Sequence, residues 1–81
     1  MRRNATLTIY RFDALDTLHK VHTPINLRTR SMLKSQREAD RIATQHGLIP
    51  RKKKWTRKAI GYATRCYSTL HGAKRLLVVE K

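Results

Sequence analysis

Apolar and polar side chains alternate along ATLTIYRF, residues 5–12. Leu7 and Ile9 fall on one side of an extended chain, and Thr8, Tyr10 and Phe12 on the other. A period of two, with β-branched and aromatic content, predicts a strand over 5–12. The DALD turn follows. Asp13 could also cap a short helix carrying Leu15, Leu18 and Val21, but the preferred expectation is a second strand over 17–22. Pro24 blocks a helix at its own position and holds Thr23 extended, so a third strand is expected over 25–32.

The period then lengthens. Ser35 and Glu38 stand at the spacing of a capping box, and Gly47 is a helix stop. Ala39, Ile42, Ala43 and His46 fall on one side at helical spacing, which predicts a helix over 35–46 with Leu48 folding back onto it. From Trp55 the helical spacing recurs. Ala59, Tyr62, Ala63, Cys66 and Leu70 share its face, Ile60 and Tyr67 widen it, and Gly72 ends it, predicting a second helix over 54–70. The last run, AKRLLVVEK, predicts a strand over 74–79 able to pair with the first. These elements compose an α+β fold, a small and mainly antiparallel sheet packed on one face by two helices. At 81 residues the chain is expected to be a single domain over 1–81 that buries roughly 60% of its unfolded surface. A core of that size leaves little room for an enclosed substrate cleft, and binding across a surface is the expected mode of action, without catalysis.

Charge changes the picture most. Nineteen lysines and arginines face five acids, for a net charge of +14 and a sequence pI near 11.2. Between Asp40 and Glu80 no acid occurs, while ten cations do. Such an excess speaks about partners rather than fold, and points to an anion: nucleic acid, an acidic protein or an anionic membrane surface. A membrane is disfavoured because the apolar stripe is needed for the core. The chain has no apolar run of spanning length and no leader pattern, and its single cysteine, Cys66, forms no intrachain disulfide. A reducing, cytoplasmic location is expected.

The densest cluster is RKKKWTRK, residues 51–58. Arg51, Lys52, Lys53 and Lys54 would sit at the start of the second helix, where unpaired N–H groups and the helix dipole also favour an anion. Arg57, Lys58, Gly61, Thr64, Arg65 and Ser68 would form its polar face. Gly61, at about 1 kcal/mol against alanine in mid-helix, would let a sugar–phosphate backbone approach. A second basic group, Arg28, Arg30, Lys34, Arg37 and Arg41, runs from the third strand into the first helix, and Arg2 and Arg3 would add an N-terminal arm. With about six to eight phosphates neutralised, log affinity would fall against log salt with a slope of roughly −4 to −7.

The aromatics Trp55, Phe12, Tyr10, Tyr62 and Tyr67 are expected mostly in the core, which disfavours a base-stacking platform and favours backbone recognition of structured RNA or duplex DNA. His19 and His22 form an H-x-x-H pair without the further ligands of a metal site, and no cofactor is expected. Cys66 reads as an inert core thiol, and His46 and His71 as residues of helix ends. A small ribonuclease built from His19, His22, Tyr10 and Arg11 is a lesser alternative. The stronger rival is a small effector or inhibitor, of the kind a phage or plasmid encodes, that docks on an acidic surface of a nucleic-acid enzyme or ribonucleoprotein. Dinucleotide, phosphate-loop, zinc-finger and ribonucleoprotein motifs are all missing from the sequence.

Overall fold

In the computed structural model, which describes residues 3–81, the chain forms seven strands and one helix. In order these are β1 (Thr6–Phe12), β2 (Leu18–Lys20), β3 (Ile25–Asn26), α1 (Met32–Gln45), β4 (Ile49–Pro50), β5 (Thr56–Ala59), β6 (Tyr62–Ser68) and β7 (Lys74–Glu80). All strands belong to one antiparallel sheet, ordered β2-β1-β7-β6-β4. The short β3 also pairs with β1, and β5 with β6. The three long strands β1, β7 and β6 thus form the centre, and each outer edge is made of two short segments.

β1 forms where the alternation places it, with Leu7 and Ile9 buried beside Ala5. It ends at an Asp13 turn, whose carboxylate accepts the N–H groups of Leu15 and Thr17 at 2.8 and 2.9 Å. Asp16 takes φ +62 and returns the chain as β2. The third strand is only two residues long, because the helix begins four residues earlier than the Ser35 cap implied. Ser31 is the N-cap and accepts the Lys34 N–H at 3.3 Å. Ser35 is buried, and its hydroxyl donates back to the Ser31 carbonyl at 2.6 Å. Glu38 pairs with Arg41 instead of capping. Gly47, at φ +73, ends the helix, and Leu48 folds back into the core as its N–H reaches the Ala43 carbonyl at 2.9 Å.

The expected second helix over 54–70 is not formed, and this corrects the fold: one helix, not two, packs on the sheet. The segment is a loop followed by the β5–β6 hairpin. Gly61 lies in its turn at φ +72, a left-handed conformation that favours glycine. Its role is therefore conformational, and the nearest atom a Cβ would meet is the Lys81 Cβ at 3.4 Å, an ordinary contact. The helical stripe is only apparent: Ile60 and Leu70, which seemed to complete it, are 101% and 80% exposed. The true period is two. Ala63 and Tyr67 face the helix layer with Arg65 between them, while Tyr62, Thr64 and Cys66 face the other way. A strand here also gives β7 a partner on its second side, which a helix would leave as a long apolar edge.

α1 covers one face of the sheet. Met32, Ala39, Ile42 and Ala43 of the helix meet Leu7, Ile9, Ala63, Tyr67, Leu77 and Val79 of the strands, with Leu27 and Leu48 closing the ends. Burying a leucine or valine of this set contributes about 1.5–3 kcal/mol. Gly61→Ala places a side chain in the left-handed region and is expected to cost about 1–2 kcal/mol, lowering the melting temperature by roughly 5–10 °C in a circular-dichroism melt. An unchanged melt would show that this turn does not need glycine.

Candidate functional site

With α1 on one face, the opposite face of the sheet is uncovered. The strand register lays its side chains out in rows: Thr6, Glu80 and Tyr62; then Thr8, Val78 and Thr64; then Tyr10, Leu76 and Cys66. Thr8 and Val78 are each only 3% exposed although no helix lies over them. The middle of this face is therefore closed over by the longer side chains around it. Phe12 continues β1 beyond Tyr10, and the Lys74 ammonium sits 4.7 Å from its ring centre. Lys20 stands beside Tyr10 in the register.

A cleft of about 380 Å³ opens on the β6 side of this face. Tyr62, Thr64, Cys66 and Leu76 line it from the sheet, while Lys52, Lys54 and Lys58 line it from the loop and β5. It combines an apolar floor with a cationic wall. Ion pairs among the described residues engage Arg41 and Arg65 but none of these lysines. Cys66, expected as a core thiol, is free and partly exposed in this cleft.

The loop carrying Lys52–Lys54 is held in place from behind by a single acid. Asp40 projects from α1, and its Oδ1 accepts Trp55 Nε1 at 2.9 Å, Arg65 Nη1 at 3.0 Å and the Tyr67 hydroxyl. The Arg65 guanidinium then donates to the Lys52 carbonyl at 2.7 and 2.9 Å and to the Lys53 carbonyl at 3.2 Å. It also lies 5.4 Å from the centre of the Tyr67 ring, against whose edge Trp55 packs. Burial, and then the hydrogen bond to Asp40, raise the Tyr67 pKa, so its hydroxyl keeps the proton it donates. Helix, strand and basic loop thus converge on one carboxylate. Arg51 pins the loop's beginning, its Nη1 donating to the Ser68 hydroxyl at 2.9 Å and its backbone N–H to the Cys66 carbonyl at 2.9 Å.

The sequence-derived site residues divide accordingly. Lys52, Lys54, Lys58, Thr64 and Arg65 come together at the cleft. Lys53 is exposed on the same loop. Arg65, whose side chain is 11% exposed, is spent on Asp40 and the loop carbonyls, and Ser68 on Arg51. Arg57 turns away from the cleft and lines a depression with Met32, Leu33 and Gln36 of the helix. The helix-start site imagined for Arg51–Lys54 does not exist, because these residues occupy a loop. Arg28 and Arg30 precede α1, and Lys34, Arg37 and Arg41 are exposed on it. The second basic group therefore belongs to the helix layer, on the other side of the sheet from the cleft. Arg3 is exposed, while Arg2 lies outside the described residues.

Reading 54–70 as a helix hid Tyr62, Leu76 and Asp40 from the candidate site. The alternation Tyr62, Thr64, Cys66, Ser68 was the available signal, with Arg65 among the inward residues as the disguise. The histidines do not assemble with Tyr10. His19 and Arg11 are paired in the register on the helix side of β1, and His22 stacks on His46 with ring centres 5.8 Å apart. Among the described residues no three His, Cys, Asp or Glu side chains form a group that could hold a metal ion.

His19 Nε2 lies 2.7 Å from Asp13 Oδ2. That contact, with the two turn N–H groups, lowers the Asp13 pKa from 3.8 to about 2. Because the folded value is depressed, this contribution to stability is present above pH 3.8 and is lost as pH falls toward 2. Carboxyl-carbon NMR is expected to show the Asp13 titration midpoint near 2. A midpoint near 3.8 would mean that the turn bonds are not formed in solution.

No protein-family model, curated protein or solved structure matches the chain. No helix among the described residues is long and apolar enough to cross a membrane.

Proposed function

We propose that the protein binds nucleic acid through its phosphate backbone, using the Arg51–Lys54 loop and β5 as the cationic wall of the cleft on the uncovered sheet face. The observation that carries this is the gathering of Lys52, Lys54 and Lys58 around one cleft with no ion-pair partner among the described residues. Like charges held this close repel one another, and a polyanion relieves that cost while releasing its own counterions. The Asp40–Arg65 network supports the same reading, since it fixes the loop backbone without using the lysine side chains. The activity is binding rather than chemistry. The free Cys66 fits a reducing compartment such as the cytoplasm.

The test is affinity for oligonucleotides over a series of salt concentrations. With about four to six phosphates neutralised, a log–log slope of roughly −3 to −5 is expected. Binding that vanishes below physiological salt for every polymer would sink the proposal and leave the rival, an acidic protein surface, as the target of the positive face.

A further inference from the structure

The uncovered face is not merely basic. A duplex presents phosphates and sugars outward with its bases stacked inside, so it makes little use of an apolar floor such as Leu76, Cys66 and Val78. A single strand carries both things this face offers a counterpart to: phosphates for Lys20, Lys52, Lys54, Lys58 and Lys74, and unstacked base faces for the aromatic rings. Tyr10 and Tyr62, expected in the core from sequence, and Phe12 all lie on this face and are all partly exposed.

We infer that the face is a stacking platform for single-stranded nucleic acid, with one base seated on Tyr62 in the cleft and another on Tyr10. This rests on the nucleic-acid reading above and names its substrate class. Phe12, two residues along the strand from Tyr10 and about 7 Å away, carries the Lys74 ammonium over its ring and so sets a cation beside the Tyr10 station. Tyr62 is displaced from Tyr10 by two strand spacings and four residues, about 16 Å along the diagonal. The polymer therefore runs obliquely across β1, β7 and β6. Thr8, Val78 and Thr64 lie in the register between the two aromatic stations. Lysines stand at both ends, Lys20 and Lys74 beside the first station and Lys52, Lys54 and Lys58 beside the second. Stacking of this kind tolerates any base, so little sequence preference is expected.

The experiment measures affinity for oligo-dT, oligo-U and a duplex of matched length, about 15 nucleotides, with the wild type, Tyr62→Leu and Tyr62→Phe. Each variant's fold is checked by circular dichroism. Expected are at least tenfold tighter binding of a single strand than of the duplex, a loss of about 5- to 150-fold for Tyr62→Leu with an unchanged salt slope, and near-wild-type binding for Tyr62→Phe. The two single-stranded arms decide between DNA and RNA. Tyr10→Leu keeps the test open if Tyr62→Leu does not fold, and should weaken single-strand binding in the same way. Equal or tighter binding of the duplex, or full affinity in both leucine variants, would overturn the platform while leaving the phosphate reading intact. Failure of the wild type to bind any of the three polymers would overturn both.

Discussion

Asp40→Ala is expected to lower the melting temperature more than any other single surface-accessible change. It strips an acceptor from Trp55, Arg65 and Tyr67 at once. Arg65 is then left nearly buried without a counter-ion, and the buried Tyr67 hydroxyl without its acceptor. Breaking a buried ion pair by removing one partner costs about 3–5 kcal/mol. The Asp40 side chain keeps 37% exposure, which admits water and moderates the loss to about 3 kcal/mol. For a chain of this size that corresponds to roughly 12–24 °C. Asp40→Asn keeps an oxygen acceptor and should lose about half as much. The readout is a thermal melt followed by Trp55 fluorescence, which also reports loosening of the basic loop that Trp55 ends. A melt within about 2 °C of wild type for the alanine variant would mean that the loop is held by its other contacts.

Replacing Lys52, Lys54 and Lys58 together by glutamine should leave the melting temperature unchanged or slightly raised, because no ion pair is lost and local repulsion falls. Nucleic-acid affinity should fall steeply. Three phosphate contacts contribute about 2–3 units to the log–log salt slope, which at 0.1 M salt corresponds to roughly 100- to 1,000-fold in affinity. The slope itself should flatten by the same 2–3 units. A control carrying glutamine at Lys34, Arg37 and Arg41 changes net charge equally but on the helix layer, and should lose much less. Equal losses in the two triple variants would mean that net charge, not the cleft, determines binding.

These two variants separate what holds the loop from what the loop holds out. The cation count in residues 51–58 is the same whether the segment is a helix or a loop, so the concentration of charge was legible without knowing the fold. Which cations remain available is a tertiary matter. Arg65 and Lys58 look equivalent in sequence, yet Arg65 lies at an inward position of β6 opposite Asp40, and Lys58 lies on the edge strand at the cleft. Asp40 itself gave no local sign of its role, because its three partners lie 15, 25 and 27 residues away.

The chain's own pattern determined β1, the first helix and its Gly47 stop but not its cap, the closing strand and its pairing with β1, and the presence of a concentrated positive charge. Each of these follows from interactions within a few residues or from an alternation strong enough to specify one face. Tertiary structure alone decided the segment from Trp55 to Leu70. Its apolar residues fit a helical stripe nearly as well as a strand, and the choice depended on a partner far along the chain. β7 required a neighbour, Gly61 supplied a turn, and Asp40 neutralised Arg65, the nearly buried charge on the inward side of β6. With that choice the tyrosines Tyr10 and Tyr62 came to lie on an uncovered surface instead of in a core. Periodicity says which residues share a face, but only packing says whether another layer covers it.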